Sequence, residues 1–373
     1  MKASERPFLD LLEDPTIQFV IPIYQREYSW TTEQCATLFR DVRMAGKRNL
    51  PHFMGTVLYY PETEKPEGIS ECLDIVDGQQ RMATLMLLLA AFSRWLAAHP
   101  DATAGTDGGA DADANASTDA GANADASTDA CDRPCPDARA IADDLLHAEG
   151  AQGKLPRLVL SEADDACFQA ALDEREFPAE SSVHVEENLA YFAKRMASDA
   201  FDPKELWNGF GKLFVIDTRL ELGHDNPQLV YEALNSKGMP LTTADMVRNY
   251  ILIGVPRSEQ SRLYRTYWKP TVDLFEDDPG SRKINNSITA YVYTKVPNVR
   301  WSEDEGQAYA LFKYYREEIF TGTTEELLKS FYDFSKVWAK NFKYHGFGWA
   351  RSTQKFHELP KTKPQFGQDG KRL

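Results

Sequence analysis

The chain has 373 residues, 42% hydrophobic and 12% aromatic, which at ~150 residues per domain suits two or three domains with real cores. Its five cysteines, an odd number scattered over the chain, exclude a disulfide framework, and a formal net charge of −15 excludes a uniformly basic surface. No run approaches the ~20 apolar residues of a membrane helix, and the start, Met1 to Pro7, lacks a secretory signal, so a cytoplasmic protein with no membrane partner is expected.

The charge is unevenly placed. Residues 101–132 carry eight Asp and no Lys or Arg, whereas residues 335–373 carry nine Lys or Arg against Glu358 and Asp369, a local net of +7. A DNA partner is therefore compatible with the acidic total. Cys131 and Cys135 lie four apart with Pro134 between them. No second pair completes a zinc site, so no metal centre is expected.

In chain order, Phe8 to Phe19 reads as a short helix running into an extended segment. In Val20 to Trp30, Pro22 biases the chain toward extended geometry and an edge strand or loop. There Tyr24, Arg26, Tyr28 and Trp30 alternate, so an extended backbone puts them on one face. That face suits base stacking and phosphate contact; the plainer reading packs the rings on the core and pairs Arg26 with an acid. Thr31 and Gln34 predict a capped helix to about Arg48, burying Leu38, Phe39, Val42 and Met44. Phe53 to Tyr60 reads as a strand, and Leu73, Ile75 and Val76 end another. Asp77-Gly78 breaks that strand, and from Met82 the apolar spacing predicts a helix to about Ala98.

Between strand and helix stand Asp77, Gly78, Gln79, Gln80 and Arg81. Polar side chains where a helix begins suit phosphate, because the first amides are unpaired and the dipole end is positive. The alternative is an ordinary helix start, with Asp77 as its cap and Arg81 as a surface cation. Residues 100–133, nearly all Ala, Asp, Thr, Gly, Asn and Ser, read as a disordered insertion. Helical patterns follow at Ala140–His147, Ala163–Leu172 and His184–Met196, and a strand at Lys212–Leu222. Pro227 starts a helix that Asn235 to Gly238 stop, and Thr242 or Thr243 caps the next with Asp245 in its first turn. The remainder is helical and aromatic-rich. No Gly-x-x-x-x-Gly-Lys-Ser/Thr loop is present, which excludes a P-loop enzyme.

Pro22-Ile23-Tyr24-Gln25-Arg26, Asp77-Gly78-Gln79-Gln80-Arg81 and Leu234-Asn235-Ser236-Lys237-Gly238, with Asp245 and Asn249, resemble three motifs of one family in the same order. This is the DGQQR-type ParB/sulfiredoxin-like domain at the front of GmrSD-type, modification-dependent restriction proteins, a group that includes phosphorothioate-sensing defence proteins. The resemblance covers about residues 8–255. It implies an α+β fold: a small mixed ParB/sulfiredoxin-like sheet with helices, followed by a mostly α-helical domain. The corresponding domains are residues 1–99 and 206–255 as two parts of one domain, the insertion at 100–133, a helical insertion at 134–205, and a helical domain at 256–373 with the basic tail.

The resemblance further implies a nucleoside triphosphatase in an antiphage restriction system. Asp77, Gln79, Gln80 and Arg81 would be catalytic. Gly78, Thr84, Asn235, Lys237, Gly238 and Asp245 would bind nucleotide. Pro22, Tyr24, Gln25, Arg26, Tyr28 and Trp30 would sense DNA. The cofactor would be GTP or ATP, with Mg2+ as an option. The partners would be modified double-stranded DNA and a nuclease domain or subunit, with a homo-oligomer allowed. The His-rich motif of an HNH nuclease is absent, so cleavage is expected from elsewhere. Two alternatives are a ParB-like, nucleotide-dependent DNA-binding switch without turnover and a non-catalytic interaction scaffold.

Overall fold

A computed structural model describes residues 1–102, 134–179, 182–221, 223–235, 241–275, 282–300 and 305–345. The chain forms two compact units: Met1–Pro22 with Glu27–Asp225, and Ile23–Arg26 with the chain from Asn226 onward. The architecture is α+β, as expected.

In the first unit a six-stranded mixed sheet runs in the order β1-β8-β3-β4-β2-β7, from β1 (Lys2–Pro7), β2 (Ile17–Val20), β3 (His52–Glu62), β4 (Glu71–Asp77), β7 (Leu158–Val159) and β8 (Leu213–Arg219). β3 is central, antiparallel to β4 and parallel to β8. β5 (His147–Gly150) and β6 (Gly153–Pro156) form a separate hairpin. The alternation of side chains along a strand divides the burial. Phe19, Val57, Tyr59, Leu73, Ile75 and Val215 enter the large core, whereas Val20 and Cys72, one residue out of phase, join Ile69 and Ala148 in a small cluster.

The large core is covered by α1 (Thr32–Arg48), α2 (Gln79–Ala98), a helical turn α3 (Ala138–Ala140), α4 (Glu162–Leu172), α5 (Val183–Met196) and α6 (Pro203–Lys212). Thr31 and Gln34 form a capping box that starts α1. α2 is the central helix. It is apolar almost all round because it packs on α3, α4 and α5, and Leu85 to Phe92 are all buried. Its 20 residues are long and apolar enough to cross a membrane by length and composition, which corrects the expectation that no run approaches that length; most of the stretch is buried inside the fold. The helix expected over Ala140–His147 is instead α3 and a π-helical turn, Ile141–Leu146, giving way to β5 at His147. Of the expected insertion, residues 103–133 lie outside the described residues.

The second unit is helical: α7 (Pro227–Asn235), α8 (Thr243–Leu252), α9 (Arg257–Leu263), α10 (Lys269–Asp273), α11 (Arg282–Lys295), α12 (Glu305–Tyr314) and α13 (Thr324–His345). Its core is aromatic, with Tyr24, Trp268, Tyr291, Phe312, Phe331 and Trp338. Lys313 of α12 is buried between the rings of Tyr250 and Tyr309 and lies 3.4 Å from both carboxylate oxygens of Glu232 on α7. Tyr309 also donates to Glu232, which ties α7 to α12. The basic residues beyond 345 fall outside the described residues.

Candidate functional site

In the first unit the expected catalytic residues sit where β4 hands over to α2. β4 ends at Asp77, and Gly78 turns the chain with φ +95°. A β-carbon on Gly78 would lie 2.8 Å from the Thr56 carbonyl oxygen, so both the backbone angle and the close approach require glycine. α2 then begins with no side-chain cap, which removes the plain reading of Asp77 as the capping residue.

Arg81 is not a surface cation either. β3 carries an irregularity between Phe53 and Thr56 against β8, and Gly55 lies within it at φ +95°. The Arg81 guanidinium closes over this bulge, donating from Nη1 to the Met54 carbonyl and from Nη2 to the Thr56 carbonyl at 3.0 Å. Nη2 is 3.7 Å from the Asp77 carboxylate. Burial lowers the Arg81 pKa, and Asp77 opposes that shift.

Gln80 is buried and serves as a clamp. Its Oε1 accepts from the backbone N–H of Ser29 at 2.9 Å and of Trp30 at 3.3 Å, and its Nε2 donates to the Glu27 carbonyl at 3.0 Å. Thr84 donates to the Gln80 carbonyl at 2.7 Å and lies 2.7 Å from the Tyr28 hydroxyl. Asn188 of α5 donates to that hydroxyl at 3.0 Å and to the Trp30 carbonyl at 2.7 Å. Burial raises the Tyr28 pKa. Thr84, Tyr28 and Asn188 thus form a buried relay that fixes residues 27–30 to α2. Changing Gln80 to Leu strands two N–H groups and a carbonyl, and should cost about 1–3 kcal/mol of stability in urea unfolding. A loss below a few tenths would show that the clamp is dispensable.

The second unit gathers a different set. The turn Ile23–Arg26 packs there, and the Tyr24 carbonyl accepts from Arg248 Nε at 2.6 Å. Arg248 Nη2 also donates to Asp245 Oδ1 at 2.9 Å. Asp245 Oδ2 accepts from the Thr242 N–H and hydroxyl in a capping box that starts α8. Tyr231 of α7 is buried beside Arg248, Asp245, Arg26 and Asn249. Burial raises its pKa, and the two guanidinium groups pull the other way. Asn249 is fully buried beside Tyr231, and Arg26 Nε is buried without a hydrogen-bond partner among the described residues.

The expected residues are therefore distributed. Asp77 to Thr84, Pro22, Tyr28 and Trp30 belong to the first unit; Tyr24, Gln25, Arg26 and Asp245 belong to the second. Tyr24, Arg26, Tyr28 and Trp30 do not share one face of an extended segment, because the chain turns at Ile23–Tyr24 and the two tyrosines enter different cores. Asn235 ends α7, while Lys237 and Gly238 lie outside the described residues. Among the described residues no group of three His, Cys, Asp or Glu side chains is placed to hold a metal.

A family model for the N-terminal domain of the GmrSD restriction endonuclease matches residues 8–252, more than half of the chain. The chain belongs to this family. A search of curated proteins finds no match. The GmrSD match takes in the turn at Ile23–Arg26, the whole β4–α2 corner, and α7 and α8 with Tyr231, Arg248 and Asn249. Membership gives the chain a role in a modification-dependent restriction system, with DNA and a nuclease as the partners such a role involves. Tyr231 and Arg248 carry no isolated motif signal. Their importance lies in what they touch, which only the fold reveals.

Proposed function

We propose that the chain is an NTP-hydrolysing sensor of modified DNA, with a phosphorothioated backbone as the modification sensed. The observation that supports it is the start of α2, a 20-residue helix with no side-chain cap and with Asp77 and Arg81 3.7 Å apart at its first turn. Such an end attracts phosphate oxygens. A GTP or ATP triphosphate fits this donor set, with Arg81 and the first amides on its oxygens and Asp77 positioning water. Mg2+ needs only one or two carboxylates beside the phosphates, so Asp77 suffices as the protein's share. DNA sensing is assigned to Arg26, which is half-buried; Pro22, Tyr24 and Gln25, expected to share that role, are buried.

The test is phosphate release from GTP, ATP and CTP, with and without plain and phosphorothioated duplex. Asp77→Asn keeps the shape of the side chain and, among the described residues, gives up only the ion pair to Arg81, so the fold should survive it. The expected loss is about 10²-fold or more, the scale for removing one catalytic proton acceptor or charge stabiliser. Equal release by wild type and variant would sink the assignment. One observation favours a second reading, nucleotide binding without turnover: Gln80 and Arg81 already spend their hydrogen bonds on the backbone. Tight binding with no phosphate release would select it.

A further inference from the structure

The helix α13 of the second unit has two distinct faces. Leu327, Leu328, Phe331, Ser335 and Trp338 are buried, which fixes the rotation of the helix. Lys329, Lys336 and Lys340 are exposed, and at intervals of seven and four residues they fall on one stripe. Asp333 shares that stripe and pairs with Lys336 at 2.6 Å. The acids of the first turn are engaged elsewhere, Glu325 by Arg262 and Tyr267, and Glu326 by the Thr323 N–H. The Ser287–Ser335 contact at 3.0 Å and the Tyr291 bond to Ser330 at 3.1 Å run α11 antiparallel to α13. The start of α11, with Arg282 exposed and Lys283 half-buried, therefore lies toward the Lys340 end. Helix dipoles do not account for these cations. A dipole favours cations only within the last turn, beyond Lys329, Lys336 and Lys340, and at the start of α11 it disfavours them. Lys336 and Lys340, one turn apart, also repel each other.

We propose that the lysine stripe of α13, joined by Arg282 and Lys283, is a contact surface for the phosphate backbone of double-stranded DNA. Its lysines span about 16 Å of helix axis, over which one DNA strand presents roughly five phosphates, so a row of point charges meets a row of opposite charges. Lysine holds a phosphate by charge and reads no base, and the surface thus positions the duplex without selecting a sequence. The charge continues in the sequence, where residues 341–373 carry seven more Lys or Arg against Glu358 and Asp369. The stripe lies beyond residue 252, where the family match ends. The surface rests on the reading that the chain meets modified DNA, and it deepens that reading by naming where the duplex backbone is held.

The test uses the full chain and fluorescence anisotropy with a short duplex, plain or phosphorothioated, over a series of KCl concentrations. Lys329→Gln, Lys336→Gln and Lys340→Gln together should weaken binding about tenfold or more and flatten the slope of log affinity against log salt by about 3, close to one per phosphate contact. The loss should be equal on plain and phosphorothioated duplex, because these lysines do not read the modification. All three side chains are exposed, so the fold should survive, and an unchanged melting temperature checks it. If the triple variant is destabilised, Arg282→Gln with Lys283→Gln reads the same surface, with a slope change of about 2. A control of equal net charge, with the exposed Lys2, Lys47 and Lys154 of the first unit changed to Gln, should bind as wild type does. Wild-type affinity and slope in the stripe variants, or the same loss in the control, overturns the surface and leaves the DNA reading standing. No duplex binding by wild type at any salt removes that reading and the surface with it. Binding about tenfold tighter to an RNA duplex of the same sequence overturns DNA as the occupant.

Discussion

Replacing Arg157 by Met should destabilise the first unit by roughly 3–5 kcal/mol, on the scale of breaking a buried charged network. Arg157 is fully buried, and its guanidinium donates to four backbone carbonyls: Asp14, Ile17 at 3.0 Å, Asp144 at 2.8 Å and His147 at 2.6 Å. These carbonyls belong to the approach to β2, to β2 itself, to the π-helical turn and to β5, so one side chain joins segments far apart in sequence. Burial pushes its pKa down to about 10, with Asp14 the largest opposing influence. Methionine fills much of the volume but leaves the carbonyls buried without donors, each a desolvation cost of about 1–3 kcal/mol when nothing relaxes. Lysine should recover part of the loss, since its three N–H donors serve fewer of the four carbonyls. Urea unfolding at neutral pH reads all three proteins. A loss under ~1 kcal/mol for methionine, no more than an ordinary substitution, would mean the carbonyls find water.

The second large effect is expected at Gly55. An alanine there must hold φ +95°, and its β-carbon would fall 1.5 Å from Arg81 Nη1. The backbone strain alone is worth about 1–2 kcal/mol. Evicting the guanidinium exposes the second term, because the Met54 and Thr56 carbonyls lose their donor. Together these give roughly 2–4 kcal/mol of stability. A double-mutant cycle separates the terms. With Arg81→Met in the background, Gly55→Ala should cost only its backbone strain, so the two changes should be non-additive by ~1 kcal/mol or more. Additive costs would show that Arg81 does not depend on the bulge.

Local chemistry made much of the framework legible. The capping boxes at Thr31 and Thr242 and the apolar runs of β3 and α2 announce themselves within a few residues. β1 does not: Lys2 to Glu5 are exposed and show no apolar alternation, and the strand exists because it pairs with β8. α6 had a signal in Asp202-Pro203 and in Leu206, Trp207 and Phe210. Gly209 lies within it and lets the helix approach α1, where a β-carbon would lie 2.1 Å from the Val42 carbonyl oxygen. In the site, the motif Asp77 to Arg81 was visible as a cluster of polar residues, but the division of labour was not. Gln80 and Arg81 bond to segments 25 to 53 residues earlier, and no spacing rule encodes such contacts.

The excursion of Ile23–Arg26 into the second unit has a consequence for how the protein can be dissected. The chain passes between the units at Pro22–Ile23, at Arg26–Glu27 and at Asp225–Asn226. A gene fragment beginning at Asn226 would therefore be missing an interior piece of its own fold, because Tyr24 is wholly enclosed among the helices of that unit. Losing an enclosed aromatic ring typically costs about 3–5 kcal/mol, a large share of a domain's stability. Truncation at the apparent boundary would yield a hollow product. A splice that carries residues 23–26 along with the helices is the minimal intact module.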